Sequence, residues 1–377
     1  MKRNHIIRKI QYRLLCFIIA TLGVTSFAAE VEVADGFTLS QWAQVPNARQ
    51  MALSTNGTLF VGSRALGKVH AVLPNGRVEV IARDLTMPSG LALRSNGDLY
   101  VAAVNTLYRL PQAQEQVITN NRQWQRLNDE LPDASHHGWK FIDFDPVNGD
   151  LVVPVGAPCN VCLVYPESGQ APFGTILSLD VEALNRGQLK YEILAKGVRN
   201  SVGFAWHPES RELWFTDNGR DWMGDDVPPC EVNRISTRGE HFGFPFRHGR
   251  YKETEASILK QIPQNFTYTP PVIEIQAHSA PLGMDFYQGN IESLKGALLV
   301  AEHGSWNRST PVGYRLSAYW LEGSRVIRHR VLVNWLVDGR KLGRPVDVQT
   351  LGDGSVLISD DAGGIIWQLQ AQSSKSP

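Results

Sequence analysis

Pro88-Ser-Gly-Leu-Ala-Leu-Arg-Ser-Asn-Gly-Asp-Leu-Tyr-Val101 is the stretch that decides the fold. Apolar residues alternate into an Asn-Gly turn and out of it again, the signature of a β-hairpin. The same unit stands at 51–61, 138–153, 202–215 and 345–358. It returns once more at 281–287 and 296–300, split by an insertion. Six copies make a repeat, and a repeat has to be read before any single motif. The first apolar residue after each turn serves as an anchor: Leu59, Leu99, Leu151, Leu213, Leu298 and Val356. Anchors lie roughly 40 to 85 residues apart, room for a four-stranded sheet with its loops. A closed ring of six such sheets removes the free edges that an open array would expose. The expected fold is therefore all-β: a six-bladed β-propeller with four-stranded antiparallel blades. Helical pattern is confined to short pieces at 257–261 and 291–295, and a pair of β-sandwiches would leave the six copies unexplained.

Composition agrees. Of 377 residues, 43% are hydrophobic and 20% charged, and 37 Lys+Arg balance 37 Asp+Glu. Such hydrophobic content excludes a disordered chain, and the neutral balance argues against nucleic acid or a polybasic membrane surface as partner. The balance is uneven along the chain, however. Lys2, Arg3, Arg8, Lys9 and Arg13 stand without an acid, residues 14–27 are almost wholly apolar, and Ser26-Phe27-Ala28 offers small residues for a cut after Ala28. That order reads as a secretory signal over 1–28, followed by a single propeller domain over 29–377 of net charge about −5. About 14 apolar residues fall short of the ~20 that a span needs, so no membrane span is expected once the signal is removed. The expected location is the periplasm or the medium. In an oxidising compartment Cys159-Asn-Val-Cys162 is most simply a local disulfide. Leu163, where covalent haem needs His, excludes that cofactor, and Cys230 remains a free thiol.

Uneven spacing locates the chemistry. The long insertions, 159–173, 219–268 and 303–313, map to loops, which in a propeller converge at one mouth of the channel. His136-His137-Gly138 stands just before the third repeat's first strand, where an imidazole could take a proton. Arg199-Asn200 and Gly343-Arg344-Pro345 occupy the same place in the fourth and sixth repeats, and Arg308 lies in the fifth repeat's loop. Three guanidinium groups about one channel suit a planar polyanion. Asp217-Asn218-Gly219-Arg220-Asp221 with Gly224-Asp225-Asp226 is either an oxygen-rich cation loop or a network of Asx turns. No Gly-rich phosphate fingerprint accompanies these residues, so NAD and ATP are poor candidates.

Taken together, His137-Gly138, Gly197-Val-Arg-Asn200, Thr216-Asp-Asn-Gly219, His303-Gly-Ser-Trp-Asn-Arg308, Gly343-Arg-Pro345 and Asp360-Asp-Ala-Gly-Gly364 resemble the sorbosone dehydrogenase branch of the soluble quinoprotein sugar dehydrogenases. The likeness runs from about Gly36 to Leu369. It implies a six-bladed propeller holding pyrroloquinoline quinone (PQQ) and Ca²⁺ at one mouth, and oxidation of a small sugar or sugar-derived aldehyde. It makes His137 the general base, sets Arg199 and Asn200 beside the quinone oxygens, and gives Arg308 and Arg344 the cofactor carboxylates. The carbonyl oxygens of Gly219 and Arg220 would hold Ca²⁺, and a separate cytochrome or quinone would take the electrons. The chain departs from a well-studied branch in three places: Arg220 replaces Pro, His136 an acid, and the Cys159–Cys162 turn a sugar-contacting side chain. Two rival readings stand beside this one. A propeller lactonase would need side-chain carboxylates on a central metal, and a recognition platform would need no catalytic base.

Overall fold

Each of the six anchors lies on the second strand of a separate sheet: Leu59–Ser63, Leu99–Ala102, Leu151–Val155, Leu213–Asp217, Ala297–Glu302 and Val356–Asp360. All six are buried, each contributing about 1.5–3 kcal/mol of apolar transfer. In this computed structural model, which describes residues 30–164 and 171–372, the sheets form a six-bladed β-propeller of four-stranded antiparallel blades. The expected signal at 1–28 lies outside the described residues. Blades three and five gain a short fifth strand, Glu240–His241 and Glu32–Val33 respectively.

Alternation buries both faces of each blade against its neighbours, giving one apolar cluster per interface. The cluster that completes the circle sets Ala43, Leu357 and Ile366 of blade six against Met51, Leu59 and Val61 of blade one. Closure itself comes from Phe37–Gln44, which pairs antiparallel with Ile365–Ala371 as the outer strand of blade six. The repeat pattern did not reveal this strand, because it belongs to no complete copy.

Inner strands run along the axis. At Gly203 a Cβ would strike the Leu282 carbonyl, and at Gly283 it would strike the Asp347 carboxylate, so only glycine permits this approach of adjacent blades. The third blade departs from the expected pattern: only Asp143–Phe144 pairs as its inner strand. The preceding segment is tied to side chains of other blades instead. Gln50 Nε2 donates to the Ile142 carbonyl while its Oε1 accepts from Ile142 N–H, and Ser89 exchanges two bonds with the Lys140 backbone. Both expected helical pieces exist, as Ala256–Leu259 and a 3₁₀ turn at Glu292–Leu294. Ala113–Ile118 and Val181–Leu184 add two helices too short to leave a period in the sequence.

Candidate functional site

The starts of the inner strands surround a cavity of about 610 Å³, walled by Arg49, His137, Arg199, Leu282 and Arg344 from five blades. Among the described residues two of the long loops line it, through Gly219 and Asp221 and through His303, Gly304 and Trp306.

His137 is buried in the wall with φ 53°, a left-handed conformation uncommon outside glycine. Two glycines make room for it: a Cβ on Gly156 would meet the His137 backbone oxygen at 2.7 Å, and one on Gly138 would strike the Ala134 carbonyl. The ring's Nδ1 lies 2.9 Å from the Ala157 carbonyl. A carbonyl only accepts, so Nδ1 carries the proton and Nε2 keeps its lone pair. Burial, then the positive charge of Arg199, pushes the imidazole pKa down to about 2. His137 is thus a neutral base across the physiological range.

Arg199 is held in place by acceptors of the chain. Its Nε and Nη2 donate to the backbone oxygen and Oδ1 of Asn160, at 2.9 and 2.8 Å, and Nη1 donates to the Asn218 carbonyl at 3.0 Å. Asp221 lies 3.4 Å away. The buried Asp217 carboxyl accepts from the Arg199 and Asn200 backbone N–H groups, and burial pushes its pKa up to about 6. Asn160 sits inside the Cys159–Cys162 disulfide, which therefore fixes the clasp on Arg199. Among the described residues the buried Asn200 Oδ1 has no partner.

Three further arginines gather opposite. Arg344 donates to the His303 and Gly304 carbonyls. Arg49 pairs with Asp361 at 3.0 Å, and Asp361 also accepts from His303 Nε2 at 2.9 Å. Burial alone would raise the Asp361 carboxyl, yet His303 and Arg49 hold it below the usual carboxylate range. Arg64 stacks 4.1 Å over the Trp139 ring, and among the described residues its guanidinium has no protein acceptor. Burial first, then Arg49, lowers the Arg64 pKa. Among the described residues these four guanidinium groups meet only two carboxylates, Asp221 and Asp361, and several charged donors are left over.

Of the residues singled out from sequence, His137, Arg199, Asn200, Gly219 and Arg344 share this wall. Arg220 sends its side chain away to Glu253 and Glu255, so only its backbone remains for a ligand. Arg308 is not part of the wall. It donates to the Asp225 carbonyl and pairs with Asp226 at 2.8 Å, clamping two loops together. Arg49 and Arg64 escaped the sequence reading. Arg49 carried a usable signal, since it opens the first repeat's inner strand, Ala48–Leu53, as Arg199 and Arg344 precede theirs. Among the described residues no three His, Cys, Asp or Glu side chains converge as a metal site, and no helix is long and apolar enough to cross a membrane.

The model of the TrAA12-like family matches residues 31–326. An uncharacterized protein of Borreliella burgdorferi is 33% identical over 365 residues, covering 93% of each chain. Among solved structures, the holo form of the pyranose dehydrogenase PQQ domain from Coprinopsis cinerea superposes with a TM-score of 0.71 at 18% identity, over 90% of this chain and 97% of that one. The calcium structure of the Trichoderma reesei Carbohydrate-Active Enzymes Family AA12 gives 0.69 at 19%, over 91% and 97%. At these identities the two structures speak for the fold.

Proposed function

The chain belongs to the TrAA12-like family, and from that premise we propose that it is a PQQ-dependent sugar dehydrogenase acting at the arginine-rich mouth. The surplus of guanidinium donors carries the reading: Arg49, Arg64 and Arg344 outnumber the one carboxylate among them. A planar tricarboxylate answers that surplus, because arginine binds carboxylates two bonds at a time. Arg199 and the Asn200 side chain, through its amide N–H donors, would face its polar edge. Arg308, spent on Asp226, is reassigned from cofactor binding to loop fixation.

When bound, PQQ supplies the two-electron acceptor that no side chain here provides. The chain's own part is positional and electrostatic. His137 Nε2 takes the proton of the substrate hydroxyl, and the Nδ1–Ala157 bond fixes the tautomer that allows it. Buried Arg199, one Nη1 proton still free, stabilises negative charge developing nearby. For Ca²⁺, the backbone oxygens of Gly219 and Arg220 are the assigned ligands. The absence of a Cβ at Gly219, where one would meet the Pro229 carbonyl at 2.6 Å, fits so tight a turn. Hard cations take such carbonyl ligands readily.

The finer assignment is to the sorbosone dehydrogenase branch, with an aldose or sugar-derived aldehyde as substrate. Residues 1–28 would direct export to the periplasm, 29–377 would form the single catalytic domain, and a cytochrome or quinone would receive the electrons. A lactonase would require a cluster of metal-binding side chains, and the described residues offer none. The test is a titration of the purified protein with PQQ and Ca²⁺, followed by dye reduction with a panel of aldoses and aldehydes. Saturable PQQ binding with substrate-dependent dye reduction is expected; absence of PQQ binding defeats the proposal.

A further inference from the structure

At the rim of the cavity two tryptophans stand in the open. Trp306 lines the cavity yet is 66% exposed, and Trp222, from the neighbouring blade's loop, is 69% exposed. Their rings meet edge to face with centroids 5.7 Å apart, so one indole face remains open to a ligand. Neither indole N–H has a partner among the described residues.

Mobile loops would fold such rings inward, but these loops are fixed. Arg308 holds the Asp225 carbonyl and the Asp226 carboxylate, Ser309 N–H donates to Asp225 at 3.1 Å, and His278 Nε2 donates to the Gly224 carbonyl at 2.8 Å. On the other side, Asp221 N–H donates to Asn160 Oδ1 at 2.8 Å. Within this frame Trp222 has φ 70°, a conformation costly for a bulky side chain. A rigid frame that holds two exposed indoles, one of them strained, is organised for binding rather than for folding.

We propose that Trp222 and Trp306 form a stacking platform for a second sugar unit, adjoining the unit that enters the cavity. The chemistry favours a saccharide. A sugar ring presents an apolar C–H face to an indole and a hydroxyl edge to acceptors, and the exposed Asp226 carboxylate stands four residues on from Trp222 in the same loop. Trp306 belongs to both cavity and rim, which makes the surface continuous. The platform deepens the sugar dehydrogenase reading and rests on it for the choice of a sugar in the cavity. On this inference the substrate is an oligosaccharide or glycoside.

Calorimetric titration of the protein without PQQ, using D-glucose, cellobiose, cellotriose, maltose and maltotriose, tests it directly. At least one linkage series should bind about tenfold tighter than the monosaccharide. Trp222→Ala should erase that gain, with glucose affinity and thermal midpoint unchanged, and Trp222→Phe should restore part of it. Equal affinity for monosaccharide and oligosaccharides in the unaltered protein overturns the proposal. So does a gain that survives Trp222→Ala. A variant that slows only electron delivery to a basic redox protein would give the surface to the acceptor and likewise overturn it. If PQQ fails to bind while the oligosaccharide gain holds, the dehydrogenase reading falls and the platform stands.

Discussion

The two ends of the central channel are built from the same inner strands and are chemically opposite. Where the strands begin, Arg49, Arg64, Arg199 and Arg344 present more donors than the protein accepts. Where they end, a second cavity of about 480 Å³ carries Asp143, Asp285 and Asp347. The acids of that end are already satisfied. Asp347 of blade six accepts from Met51 N–H of blade one at 2.8 Å and from Val348 N–H at 2.9 Å. Asp285 of blade five accepts from the backbone and hydroxyl of Thr350 in blade six. Those carboxylates staple neighbouring blades. Charge alone therefore does not mark a site; unmet hydrogen-bonding capacity does, and only the arginine end has it in quantity.

The sharpest way to break this comparison is at the base. His137→Ala should lower kcat of the PQQ-loaded protein by about 10²–10⁴-fold while leaving PQQ affinity within a few-fold, read by dye reduction beside a binding titration. With its pKa pushed down to about 2, His137 should also stay unprotonated between about pH 5 and 8 in the cofactor-free protein. Histidine ¹⁵N chemical shifts that titrate near 6.5 at this residue would defeat that assignment. Next in size is the donor surplus. Arg64→Ala or Arg344→Ala should weaken PQQ binding by roughly 10- to 100-fold, the scale of a charged hydrogen bond of about 1.5–3 kcal/mol. Lysine at either position should recover little, since it lacks the planar fork.

The opposite end should answer in stability and not in binding. Asp347→Ala removes the acceptor of two buried N–H groups and should destabilise the fold by about 1–3 kcal/mol, with PQQ affinity unchanged. Its pH dependence has a definite sign. Burial raises the Asp347 carboxyl from 3.8 to about 7, so the folded state holds this proton more tightly than the unfolded chain. The stability it contributes is full below about pH 4 and is lost as pH rises through about 7. Thermal midpoints of Asp347→Ala should fall less steeply over that interval than those of the unaltered protein.

Much of this was legible in the sequence, for physical reasons that also mark where legibility stops. Blades announce themselves because a hairpin is local: its alternation and turn lie within a dozen residues, as in Leu91 to Val101. His137, Arg199 and Arg344 could be read because position within a repeat maps to position around the axis. Arg49 obeyed the same rule. Arg64 did not, since it lies just past the second strand and reaches the cavity by stacking on Trp139 of another blade. Closure by Phe37–Gln44 depends on pairing with the far end of the chain. Arg308 shows the converse limit. Its motif placed the residue in the correct loop, but a motif carries no side-chain direction, and Asp226 of another blade captured the guanidinium.

The Cys159–Cys162 pair joins both halves of that lesson, and the smallest predicted effect falls on it. Sequence suggested the bond but no purpose for it; the geometry gives one, because Asn160 within the bridge supplies two of the acceptors that hold Arg199. A bridge closing so short a loop removes little chain entropy and should matter little to global stability. Its effect should be local instead. With Cys159→Ser and Cys162→Ser together, Asn160 is freer to turn, Arg199 loses part of its clasp, and PQQ affinity should fall by about two- to fivefold, or less than 1 kcal/mol. The thermal midpoint should move by only a few degrees. A large loss of stability with unchanged PQQ affinity would instead place the bridge with the staples of the acidic end, as part of the scaffold and not of the site.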